Sequence, residues 1–247
     1  MRVKLLSDLH MEGCNFRYEY NQEDILILAG DIHTQYRHNE ILNQIPEQVK
    51  ILFVPGNHEY YGCQFEPVND YLKELEVEYP NFQLLMNESV ELGDIQFFGG
   101  TMFTDFELYG ITEAWFVKNA AKDMIADFEY IKHNGRKWTS TDHVEQFRIF
   151  ERELACWLKL TEGKKRVVIS HFMPTEQLTN PKFANSKLNP YFTCDMERYM
   201  GWEGHWVCGH GHNSADIMIG DTRVIMNPRG YGTENRSGFN KNLIIEI

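Results

Sequence analysis

Val3-Lys4-Leu5-Leu6-Ser7-Asp8-Leu9-His10 sets a pattern that recurs along the chain. A short apolar run reads as a buried β-strand, and the residues just past its end carry lone pairs. Asp8 and His10 are two apart, so an extended backbone points both to one side, a spacing that suits a single metal ion. The pattern returns four times. Residues 25–29 lead into Gly30-Asp31, and residues 51–54 into Pro55-Gly56-Asn57-His58-Glu59. Residues 167–169 lead into Ser170-His171, and residues 206–208 into Gly209-His210-Gly211-His212. Ligands of open α/β sheets gather at such strand ends. Each block alone has an ordinary explanation: a turn Asp, a left-handed Asn, a hydrogen-bonded core His, a flexible Gly-His loop. Five in series point to one shared site.

The segments between the blocks define the class. Further strands are expected at residues 96–98, 223–226 and 243–247, with a hairpin partner at 216–219 turning through Gly220-Asp221. Residues 67–79 read as a helix, with Pro67 near its start and Val68, Tyr71, Leu72 and Leu75 on one face. Residues 141–160 read as a longer helix and 112–125 as a third. Strands alternating with helices give an α/β protein with mixed sheets. No repeat or linker divides the sequence, so residues 1–247 are expected to form a single domain.

Composition narrows the partners. The 247 residues hold 24 Lys+Arg against 36 Asp+Glu, a formal charge of −12, and 43% are hydrophobic, enough for a core. The acidic balance argues against a long nucleic acid as partner, which calls for a basic surface. A small phosphate ester held by metal ions remains compatible with it. No apolar run approaches the ~18–20 residues of a membrane span. The first residues lack the apolar core of a secretory leader. The five cysteines, Cys14, Cys63, Cys156, Cys194 and Cys208, form no CxxC pair. A reducing, cytoplasmic setting is the expectation.

The donors are Asp8, His10, Asp31, Asn57, His171, His210 and His212. Seven exceed one tetrahedral ion and fall short of two six-coordinate ions unless a carboxylate and a bridging hydroxide are shared. Mixed imidazole and carboxylate donors suit Mn, Fe, Zn, Co or Ni better than Ca.

In this order the blocks resemble the signature of the calcineurin-like metallophosphoesterase superfamily, from residue 8 to residue 212. The resemblance implies a four-layer α/β sandwich of two mixed sheets flanked by helices, with a dinuclear centre at one edge. It implies Asp8, His10 and His212 on one metal, Asn57, His171 and His210 on the other, and Asp31 bridging. His58 would contact the substrate phosphate and protonate the leaving group, and Asn57 would also face the substrate. Glu59 is as readily a supporting residue as a catalytic one. At the second block Gly30-Asp31-Ile32-His33-Thr34-Gln35 lacks the phosphate-gripping Arg of the phosphoprotein phosphatases. This favours a phosphodiesterase acting on a small substrate such as a cyclic nucleotide or another nucleotide diester. A phosphomonoesterase, a nuclease on short single strands and a non-catalytic scaffold are the alternatives. Asn227-Pro228-Arg229-Gly230-Tyr231 resembles a segment of a compact bacterial and bacteriophage branch. Arg229 and Tyr60 are offered as substrate contacts, and Tyr61, Phe103, Phe106, Tyr109 and Trp115 as further aromatic surfaces. His33, His38, His133, His143 and His205 match no block and are read as surface or packing residues.

Overall fold

The computed structural model describes residues 1–232 and 237–247. The first sheet contains β1 (Arg2–Leu6), β2 (Ile25–Ala29), β3 (Lys50–Val54) and β4 (Phe82–Leu84), with β13 (Ile244–Glu246) on the outer side of β1. β1 to β4 are parallel and β13 is antiparallel to β1. The second sheet contains β5 (Glu88–Leu92), β6 (Ile95–Gly100), β9 (Lys165–Ser170), β10 (Gly204–Cys208), β11 (Ala215–Ile219) and β12 (Thr222–Met226). Its order is β11-β12-β10-β9-β6-β5, with four parallel strands between two antiparallel edges. A two-stranded ribbon, β7 (Lys132–His133) and β8 (Arg136–Lys137), lies apart.

Alternation along each strand builds the layers. Val3, Leu5, Ile25, Ile27, Leu52 and Val54 meet Ile95, Phe97, Val167, Ile169, Val207 and Ile225 in one buried cluster between the sheets. The opposite faces pack on helices. Leu26, Leu28, Ile51 and Phe53 share a cluster with Phe65, Val68, Leu72 and Leu75 of α2 (Phe65–Glu78). Phe98, Val168 and Trp206 do so with Val144, Phe147, Phe150, Leu154 and Trp157 of α5 (Ser140–Leu160). The result is the expected four-layer sandwich. α5 starts at a capping box: Thr139 accepts from the Asp142 N–H, and the Asp142 carboxylate accepts from the Thr139 N–H.

The remaining helices are α1 (Asn39–Leu42), α3 (Ile111–Met124), α4 (Asp127–Tyr130) and α6 (Asn189–Phe192). α2 begins two residues before the expected start, placing Pro67 third. Its missing N–H belongs to the first turn, where no intrahelical partner is needed. The Gly220-Asp221 turn joins β11 and β12 as expected, with Gly220 at φ +58°. β4 and β5 were not expected. β4 is three residues long, and β5 is an exposed edge with little apolar character.

Candidate metal centre

All seven donors lie at the same edge of the sandwich. Asp8, Asp31 and Asn57 follow three adjacent parallel strands of the first sheet, and His171 and His210 follow two adjacent parallel strands of the second. The two sheets are tied together here by the donor residues themselves. The Asp8 carboxylate accepts from the His210 N–H at 3.0 and 3.1 Å, and His171 Nδ1 faces the Ala29 carbonyl at 2.9 Å. Gly30 and Gly56 make the closeness tolerable. A Cβ on Gly30 would press on the His171 ring, and one on Gly56 would collide with Asp31 Oδ1.

Three overlapping groups of donor atoms form: Asp8 with His10 and His212, Asp31 with His171 and His210, and His10 with Asp31 and His58. His10 Nε2 is 3.1 Å from His212 Nε2 and 3.8 Å from Asp31 Oδ2, and His212 Nε2 is 3.4 Å from Asp8 Oδ1. His171 Nε2 is 3.1 Å from Asn57 Oδ1 and 3.3 Å from Asp31 Oδ1. Asp31 thus turns one oxygen to each side.

The donor set fits cations. The Ala29 carbonyl fixes the His171 proton on Nδ1, which leaves the Nε2 lone pair facing two oxygens. The Asn57 oxygen is pinned toward it because its NH2 donates to Asp127 Oδ1 at 2.8 Å. His210 Nε2 is buried without a hydrogen-bond partner. Lone pairs converging in a buried place need a positive charge between them. Without a metal a proton serves: burial works to lower the His171 pKa, yet Asp31, Asp8 and the Ala29 carbonyl outweigh it and raise it to about 10. Burial, aided by His171, holds His210 well below the ordinary imidazole range. Five donors hold positive φ: Asp8 (51°), His10 (44°), Asp31 (54°), His210 (67°) and His212 (50°). Left-handed backbone in non-glycine residues costs on the order of 1–3 kcal/mol each and gathers at functional sites.

His58 lies beside the cluster, its side chain 12% exposed. Its Nδ1 faces Glu12 Oε1 at 3.1 Å, and its Nε2 lies 3.1 Å from the Tyr231 hydroxyl and 3.9 Å from Asp31 Oδ2. Burial lowers its pKa, but Asp31 and Glu12 prevail and raise it. The same Glu12 oxygen is 3.1 Å from His10 Nδ1. Burial alone would raise the Glu12 pKa, and the two histidines instead bring it down to about 2.

Glu59 is a supporting residue. It is fully buried and accepts from the backbone N–H groups of Asp31, Ile32 and Gly56 at 2.6–3.0 Å, with His38 Nε2 at 3.5 Å. It clamps the loop that carries Asp31.

Two expected substrate contacts are corrected. Tyr60 is 1% exposed, stacks on Phe65 and donates to Asn69, so it belongs to the core. Arg229 donates to the carbonyls of Leu9, Cys14 and Asn15 and lies over the Phe16 ring, which commits its guanidinium to one loop. Phe103 and Phe106 are core residues too, and Trp115 stands exposed on α3. Of the aromatics offered as further surfaces, Tyr61 reaches the site: it stacks on His58 with centroids 4.0 Å apart and donates to Asp127 Oδ1 at 2.8 Å. Sequence reasoning missed Asp127 and Glu12. Asp127 is fully buried and also accepts from Tyr191 at 2.6 Å. No motif surrounds Asp127; Glu12, two residues beyond His10, had a positional signal.

Beside the cluster opens a cavity of about 400 Å³. Asp31, Asn57, His58, His210 and His212 line it together with Met124, Ile125, Met173, Leu188 and Phe192 and with polar side chains such as Thr179, Ser186 and Asn189.

A sandwich of two mixed sheets thus carries, at one edge, His, Asp and Asn side chains in clusters that could hold metal ions. The chain belongs to the calcineurin-like phosphoesterase family, whose profile matches residues 1–214. It is 26% identical to an uncharacterised protein of Acanthamoeba polyphaga mimivirus, over 100% of this chain and 97% of that protein. In structure it is similar to the phosphopantetheinyl hydrolase of Mycobacterium tuberculosis, with a TM-score of 0.73 at 18% identity, over 99% of this chain and 95% of that one. That likeness concerns the fold. No helix among the described residues is long and apolar enough to cross a membrane.

Proposed function

We propose that this chain, acting as one domain, is a phosphodiesterase that hydrolyses a small phosphodiester, with nucleotide diesters among its candidate substrates. The observation that carries the reading is the two-sided placement of Asp31 between the His10 and His171 groups. Asp8, His10 and His212 would hold one divalent ion, Asn57, His171 and His210 the second, and Asp31 both. Mn is favoured, with Fe, Zn, Ni and Co as alternatives, because the donors mix imidazole, amide and carboxylate.

When bound, the two ions supply Lewis-acid charge, which lowers the pKa of water and offsets charge on the phosphoryl oxygens. The chain supplies the rest. Hydrolysis puts a water oxygen on phosphorus, breaks one ester P–O bond and leaves an alkoxide that needs a proton. His58 is placed to give it. Its Nδ1–H is held by Glu12, so the second proton of the imidazolium sits on Nε2. Stacking on Tyr61 fixes the ring plane. The products are a phosphomonoester and an alcohol. Asn57, with its amide locked by Asp127, would face both the ion and the ester.

The test is metal analysis of the purified chain, followed by Mn-loaded assays with an aryl phosphodiester, an aryl phosphomonoester and cyclic nucleotides. Diester turnover well above monoester turnover supports the reading. Monoester preference, or no metal and no turnover, overturns it.

A further inference from the structure

We infer that the apolar lining of the cavity beside the donors is a pocket for an uncharged, largely apolar ester arm, so that the substrate is a phosphate ester of a lipophilic alcohol. This rests on the proposed phosphodiesterase site and names its substrate class. The cavity is continuous: Asp31 and His58 line the same space as Ile125, Met173, Leu188 and Phe192. A phosphoryl group held at the donor end leaves the remaining volume, within about 400 Å³, to whatever the phosphate carries. Pockets of about this size bury most of a drug-sized ligand and bind it mainly through apolar contact.

Besides Met173, which follows β9, two segments build that wall. One is the join of α3 and α4, which brings Met124, Ile125 and Ala126, and the other is the stretch from Thr179 to α6. Two amides on the second segment are already engaged, whereas Thr179 Oγ1 is buried without a hydrogen-bond partner. Asn180 Oδ1 accepts from the Lys182 N–H at 3.0 Å, and Asn189 Nδ2 donates to the Phe183 carbonyl at 3.0 Å and to the Tyr109 hydroxyl. The surface left to meet a ligand is therefore mostly hydrocarbon, with the Thr179 and Ser186 hydroxyls as polar points. At the mouth, Met124 (67% exposed) and Phe183 (50%) present large apolar side chains to solvent. A second charged group on the arm would be stripped of water against this wall without a partner, which disfavours it.

The experiment measures binding to the Mn-loaded chain by calorimetry, using O-methyl, O-butyl and O-hexyl methylphosphonates, which keep a singly charged phosphoryl head. Each buried methylene should tighten Kd about three- to fourfold, giving at least about tenfold from methyl to butyl. Ala126→Trp narrows the pocket and Met124→Lys charges its mouth, both at exposed positions that do not threaten folding. Each should weaken the hexyl ester about tenfold or more and leave the methyl ester within about twofold. A Kd independent of chain length, equal losses for methyl and hexyl, or tighter binding of a carboxypropyl or nucleoside arm than of hexyl would overturn the inference. Turnover of a methyl aryl phosphodiester reports separately on the phosphodiesterase. Chain-length-dependent binding without turnover would leave the pocket standing and remove the reaction.

Discussion

The donor edge and the apolar wall line one cavity, yet they are built in opposite ways. Each donor sits one to four residues past a strand, where parallel pairing fixes its position. Five of the seven hold left-handed backbone. Apart from Met173 past β9, the wall comes from the end of α3 and from loops with short helical turns, all with ordinary backbone. Chemistry needs atoms placed to a fraction of an ångström, so it is mounted on the sheets. Apolar contact is roughly proportional to buried area, so a wall of loops and short helices suffices. The donor edge should therefore be intolerant of single substitutions, and the wall should respond in a graded way.

The largest effect is expected at Asp31. Asp31→Asn, or separately His171→Ala, should lower kcat by about a thousandfold or more while circular dichroism stays native, and a chelator should do the same to the parent chain. Activity that survives both substitutions and chelation would break the comparison. His58→Ala should cost about 10²–10⁴-fold in kcat for alkyl diesters and much less for aryl diesters, whose leaving groups need no proton. Equal losses for the two would remove the proton-donor role.

Asp127→Ala sharpens the comparison, because it sits on α4 in the wall segment but holds Asn57 on the donor edge. It should reduce Mn affinity by about 10–100-fold, measured by metal titration, since partners that orient ligands carry effects of that size. His143 tests the packing of the helices instead. It is fully buried among Phe103, Phe106, Phe172 and Tyr191, and burial, helped by Lys118, lowers its pKa to about 3. The unfolded chain then binds a proton below about pH 6.5 that the folded chain refuses until about pH 3. Its share of stability is complete above pH 6.5 and is lost as pH falls toward 3. His143→Phe should flatten this part of the acid unfolding curve. The smallest effect on activity is expected from Arg229→Ala, which removes hydrogen bonds to three carbonyls. It should lower stability by about 1–3 kcal/mol in urea unfolding and leave KM within about twofold.

Legibility in the sequence followed the same division. Strands with unbroken apolar runs, such as Ile25–Ala29, were readable because burial on both faces leaves no alternation to confuse. β5 was not, because an exposed edge strand carries polar residues and its partner decides its state. Tyr60 and Tyr61 are adjacent and chemically alike. One turns into the core against Phe65, the other toward His58, through a short turn over His58–Tyr60 that no composition rule foresees. Arg229 looked like a phosphate ligand because Arg often is one. Only the fold brought the Leu9, Cys14 and Asn15 carbonyls to it.

The sequence by itself determined the α/β class and the family and offered the candidate donors, because strand periodicity and the residues at strand ends are local properties of the chain. Tertiary structure decided which donors meet, which oxygen of Asp31 faces which histidine, and that Asp127, Glu12 and Glu59 hold Asn57, His58 and Asp31 in place. It also decided that the cavity beside the donors is lined largely by hydrocarbon. These include contacts between segments 202 residues apart, as between Asp8 and His210, and only the packing of the two sheets brings such segments together.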